Sequence, residues 1–137
     1  MNVEEMAIRV YPYIIEWLKK VDKSKILSGK PEPIEKVEVL PEWEFTYYDA
    51  ITILHKELKY SKSFQRAFDR FYFSYGYGIY ISDEWIRKDI RRVVVHELIH
   101  LAGIYEHSVK LNGFWYVNAG KENGVEKYLV EKFKDYF

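Results

Sequence analysis

The sequence predicts a small α+β domain covering residues 1–137, with a sheet packed on an N-terminal helix, a central motif-bearing helix and a C-terminal helix. Three observations support this. Apolar residues recur at helical spacing in residues 2–20, two stretches (34–40 and 72–81) have strand character, and a nearly continuous apolar run around residues 93–102 ends at Gly103. With 137 residues and 48% hydrophobic content, the chain can bury a core without disulfide or metal staples. A metal ion, if bound, would therefore serve chemistry more than folding.

Val3, Met6, Ala7, Val10, Ile14, Ile15 and Leu18 share a helical period, interrupted only by Pro12, so the first helix is expected over Asn2 to Lys20. Val21 to Pro33 is mostly polar, with Gly29, Pro31 and Pro33, and reads as a loop. Ile34 to Leu40 alternates apolar and charged residues in its second half and stops at Pro41, as a half-buried strand does. Tyr47 to Tyr60 places Ala50, Ile51, Ile53, Leu54 and Leu58 at helical spacing, which predicts a second helix bearing His55 and Glu57. Neither has a histidine or carboxylate partner at the spacing a metal site needs, so both read as packing or surface residues. Ser63 to Phe71 continues as helix through Phe64, Ala67, Phe68 and Phe71.

Tyr72 to Ile81 is rich in β-forming aromatics and is broken by Gly76 and Gly78, which predicts a strand or hairpin ending in the strand Gly78 to Ile81. Ser82 and Asp83 then supply an N-cap for a helix running from about Glu84 to Gly103, with Asp83 and Glu84 placing negative charge in its first turn. A last helix is expected from about Asn118 or Asn123 to Tyr136, with Val125, Tyr128, Leu129, Phe133 and Tyr136 on one face.

The predicted central helix contains His96-Glu97-Leu98-Ile99-His100. Positions i and i+4 lie one above the other, so both imidazoles can reach one ion from the same face. Glu97 points elsewhere, where it can take a proton from a water bound to that ion, and this is the chemistry of zinc-dependent hydrolases. A purely structural buried helix is the competing reading. Val93, Val94, Val95, Leu98, Ile99, Leu101 and Ala102 bury this helix on nearly all sides, and a Glu in such a setting is costly without a cation or partner. A metal site is the better account.

Composition narrows the remaining possibilities. Lys plus Arg and Asp plus Glu number 21 each, with no long block of either sign, which argues against nucleic acid or an anionic membrane as partner. No apolar run reaches the length of a membrane span, and Glu4 and Glu5 lie where a secretory signal would be basic, so a soluble, cytoplasmic protein is expected. Cysteine is absent, leaving only nitrogen and oxygen ligands for a metal. Charged residues at 31%, aromatics at 18% and a single glutamine, Gln65, form the bias expected of a hyperthermophile protein.

From Gly78 to about Phe133, the order of strand, His-Glu-x-x-His helix and downstream helix resembles the zincin metallopeptidases, and in size and order it looks most like the minigluzincins. The resemblance implies a small zincin-like domain with a short mixed sheet, one Zn2+ ion, a peptide or protein substrate aligned along Gly78 to Ile81, and Glu97 as general base. Zinc in a catalytic site needs a third protein ligand beside His96 and His100. Glu122 falls 22 positions after His100, similar to the gluzincin spacing. Glu126 one turn later would then echo the family's second acidic residue. Alternatively, Asn123 caps the helix and Glu126 is its capping-box partner. His107 is the rival ligand: it lies one residue later than the metzincin pattern requires, with Glu106 at the expected position, and His107-Ser108 followed by Phe114-Trp115 resembles the SprT-like proteins. Tyr105, Tyr116 or His107 could stabilise an oxyanion. A non-catalytic zincin-fold protein with a closed metal site is a second possibility. A latent enzyme, blocked by its first helix or by Lys132 to Phe137, is a third.

The third ligand separates these families. Glu122→Ala should lower zinc affinity far more than His107→Ala, measured by chelator competition on both variants beside the parent. Loss of metal in His107→Ala alone would instead indicate a three-histidine site.

Overall fold

The computed structural model describes residues 2–21, 30–105 and 124–137. Helix α1 spans Val3–Val21 and buries Ala7, Val10, Tyr11, Ile14, Trp17 and Leu18, the i, i+3, i+4 stripe that its periodicity demands. Asn2 caps it by accepting from the Glu5 amide at 2.8 Å. Pro12 is accommodated within the helix. It leaves the Ile8 carbonyl without its helical donor, and residue 8 is on the solvent side, 53% exposed.

Three strands follow: β1 (Val37–Leu40), β2 (Ala50–Ile53) and β3 (Gly78–Ser82), in the spatial order β1-β3-β2. β3 pairs parallel with β1 and antiparallel with β2, so the sheet is mixed. Helix α2 (Lys62–Tyr75) covers one face, where Ile51, Ile53, Phe71 and Tyr80 form a cluster. The other face carries Val37, Ile79 and Ile81 and packs on α1, on α3 (Ile90–Ala102) and on the core shared with α4 (Val125–Lys132). This is the expected α+β architecture. No helix among the described residues is long and apolar enough to cross a membrane.

Gly78 is required by close approach. A Cβ there would lie 2.8 Å from Lys36 Cγ and 2.9 Å from the Lys36 carbonyl oxygen, the group that accepts from the Ile79 amide.

Several elements differ from expectation. Residues 47–60 form no helix: the segment contains β2, followed by an irregular stretch. Ile51 and Ile53 face α2 while Ala50 and Leu54 belong to the opposite core, so a strand buried on both sides imitates helical spacing. Tyr72 to Tyr75 is the last turn of α2 and not a strand. Packing of Phe64, Ala67, Phe68, Phe71 and Tyr75 on one cluster overrides their aromatic β-preference. The helix expected from Glu84 is broken. Ser82 caps a 3-10 turn, Asp83–Arg87, and α3 starts only at Ile90. Gly124 is extended and occupies the N-cap of α4, which begins at Val125; the expected starts at Asn118 and Asn123 lie outside the described residues.

The substrate edge expected at Gly78 to Ile81 is also corrected. β3 is the central strand, with its backbone groups engaged on both sides, and β2 forms the sheet margin next to α3. In the C-terminal tail, Phe133 and Tyr136 pack against Tyr13 of α1.

Candidate metal centre

Helix α3 places His96, Glu97 and His100 together, with ligand atoms within 4.8 Å of one another, so the group could hold a metal ion. The two imidazoles are held from behind. Gly103 adopts a left-handed conformation (φ 117°), and its amide bonds to the His100 carbonyl while the Ile104 amide reaches back to Ile99. This reversal is a conformation that glycine adopts without a Cβ penalty. It directs the Ile104 carbonyl at His100 Nδ1, 2.7 Å away. A carbonyl only accepts, so His100 carries its proton on Nδ1 and presents a lone pair on Nε2.

The partner of His96 comes from α4. Glu126, 0% exposed, accepts from His96 Nδ1 at 3.1 Å. Its position in the first turn of α4 also suits its negative charge. With both Nδ1 atoms donating, the two Nε2 lone pairs face each other at 3.0 Å. That arrangement is repulsive unless a proton or metal ion lies between them. A tetrahedral ion with metal–nitrogen bonds of about 2.0–2.1 Å keeps two such nitrogens roughly 3.3 Å apart. The donor set and its spacing therefore fit an ion, and the carboxylate and carbonyl behind the rings are the usual supports of metal-binding histidines.

Glu97 points towards the sheet. It is 4% exposed, and Thr52 of β2 donates to its carboxyl at 3.3 Å and to its carbonyl at 3.4 Å. Burial pushes its pKa up to about 8, helped by Asp49 and Glu126 and opposed by the Thr52 hydrogen bond. Glu97 and both histidines line a cavity of about 720 Å³ together with Thr52, Trp85, Val93 and Tyr105. The Tyr105 hydroxyl has its pKa raised, first by burial and then by Glu32, so it stays protonated and able to donate.

Of the ligand candidates, His96 and His100 converge, and Glu126 stands behind His96 instead of completing the ligand group. The capping-box alternative involves Asn123, which lies outside the described residues. Glu122, His107 and Glu106, like Tyr116, lie outside the described residues. His55 is remote from the centre, bonded to Glu35 at 2.9 Å and stacked on Tyr77. Thr52 was not anticipated from sequence, and the β-branched run Ile51-Thr52-Ile53 was the available signal of a strand there. Comparison with family models, with curated proteins and with solved structures gives no match to this chain.

Two outcomes follow from this geometry. Glu126→Ala should weaken metal binding by about 10- to 100-fold in chelator competition, because His96 loses the acceptor that fixes its ring. Without metal, Glu97 remains protonated in the folded state up to about pH 8, whereas in the unfolded chain it ionises near its ordinary value. Its raised pKa therefore favours folding fully below about pH 4.5, and this contribution is lost as pH rises through about 8. Chelated Glu97→Gln protein should match the parent in denaturant stability near pH 4.5 and exceed it at pH 9 by on the order of a few kcal/mol.

Proposed function

We propose that this chain is a cytoplasmic zinc-dependent peptidase of the zincin type, with His96 and His100 as two metal ligands and Glu97 as general base. The observation that carries the reading is the convergence of the two Nε2 atoms at 3.0 Å, with each Nδ1 held by a buried acceptor. Glu122 is the proposed third ligand and His107 its rival. Zinc, when bound, would supply Lewis acidity, lowering the pKa of water towards neutrality.

The chain's own residues account for the rest. Glu97 takes the proton of the attacking water and delivers it to the departing amine. Burial raises the Glu97 pKa in the metal-free site, and a bound cation would oppose that shift and hold the carboxylate ionised, able to accept the proton. Thr52 holds the carboxyl in place. Tyr105, a protonated hydroxyl on the cavity wall, is the candidate donor to the developing oxyanion.

β2 supports a place for the proposed substrate. The Ser82 amide bonds to the Asp49 carbonyl, which marks Asp49 and Ser82 as a hydrogen-bonded pair. By antiparallel alternation, Ile51 and Ile53 also bond inward to Tyr80 and Gly78. Ala50 and Thr52 therefore turn their N–H and C=O groups outward along the cavity. An extended peptide can pair there as an added strand, beside the two histidines.

Purified protein supplied with zinc should cleave unfolded polypeptide. Glu97→Gln should retain the metal but lose at least about 100-fold in turnover at equal zinc occupancy. Activity within a few-fold of the parent would remove Glu97 from this role. Full zinc content with no turnover in the parent would favour a binding protein with a closed site.

A further inference from the structure

The main cavity reaches both sides of the β2 margin. On the α3 side it is lined by Val93, His96, Glu97 and His100, and on the α2 side by Tyr48, Tyr60 and Phe64. These three aromatics form a continuous wall: Tyr48 meets Phe64 edge-on at 5.0 Å, and Tyr60 lies 4.5 Å from the same ring. Phe64 is fixed at the start of α2, where the Ser61 hydroxyl accepts from its amide, and it packs on the cluster around Ile51 and Phe71. The wall is largely apolar. Its charged neighbours in the cavity, Lys59, Lys88 and Asp49, include both signs, so the lining favours neither an acidic nor a basic side chain.

An extended segment paired with β2 would send alternate side chains to opposite faces of the sheet. One set would face the histidines and the other this aromatic wall. We propose that Tyr48, Tyr60 and Phe64 form a specificity subsite for a large apolar or aromatic side chain on the face of the substrate strand turned away from the histidines. This rests on the peptidase reading and names its substrate class: extended polypeptide with bulky apolar residues at every second position. Past the start of β2, a second depression of about 450 Å³ shares Tyr48 and Asp49 with the main cavity and includes Trp43 and Tyr47, which are 79% and 81% exposed. The binding surface thus continues beyond the sheet margin, as a substrate longer than a few residues requires.

The test uses zinc-loaded Glu97→Gln protein and two fluorescein-labelled decapeptides that differ only in having Phe or Ala at alternate positions. Anisotropy titration should show the Phe peptide binding at least about tenfold more tightly, the scale expected for burying an aromatic ring. Adding Phe64→Ala should shrink that ratio to within about twofold while leaving the Ala peptide's affinity nearly unchanged, because backbone pairing persists. Tyr48→Ala, at a half-exposed position, provides the same comparison if the Phe64 variant does not fold. Equal binding of the two peptides by the parent background, including no binding of either, would overturn the proposal, as would a Phe preference that survives both substitutions. Turnover of the same peptides by the unsubstituted protein separates the two claims. Preferential binding without cleavage would count against the hydrolytic reading and not the subsite, and cleavage without preference would do the reverse.

Discussion

Two hydrogen bonds from imidazole Nδ1 atoms to buried acceptors organise this site. The His100 bond to the Ile104 carbonyl depends on Gly103, whose left-handed backbone turns the chain back over the end of α3. The His96 bond depends on Glu126, a fully buried carboxylate delivered by α4. Each interaction fixes both the orientation of a ring and its tautomer, and together they bring two lone pairs to 3.0 Å. Rings supported from behind with their Nε2 atoms converging have the arrangement of metal-binding histidines.

The sheet supplies the other half of the arrangement. β3 is central and enclosed, so it acts as scaffold. β2 runs antiparallel at the margin and carries Thr52 to Glu97, while the backbone groups of Ala50 and Thr52 turn towards the cavity. One short strand thereby holds the proposed general base and offers pairing groups to an extended substrate. Helix α2, on the opposite face, lends Phe64 to the same cavity. The aromatic contacts of Tyr13 with Phe133 and Tyr136, and of Trp17 with Tyr128, hold the C-terminal segment against α1. They anchor the helix that carries Glu126.

Much of this was legible in the sequence where a single periodicity was at work. The stripe of α1, the placement of His96 and His100 on one helix and the stop at Gly103 all follow from spacing alone. β2 was hidden because both of its faces are buried, so the apolar residues of 50–54 carry no strand alternation. The last turn of α2 was hidden because Tyr72, Phe73 and Tyr75 favour strands intrinsically, whereas Phe71 and Tyr75 pack the helix onto the sheet cluster. The break before Ile90 was hidden because Ser82 caps the preceding 3-10 turn and so offers an earlier start than Asp89, which occupies the N-cap of α3. Thr52 could not be linked to Glu97 from sequence because the contact joins residues 45 positions apart. Glu126 was visible as a candidate acid, but only the start of α4 after Gly124 explains how it comes to face His96.

Histidine nitrogen NMR addresses the central claim most directly, because each ring nitrogen reports its proton or metal separately. On addition of one equivalent of zinc, His96 and His100 should both appear as Nδ1–H tautomers with Nε2 shifted by coordination, while His55 remains unchanged. Nε2 signals of His96 and His100 that do not respond to zinc, or coordination through Nδ1, would contradict the account.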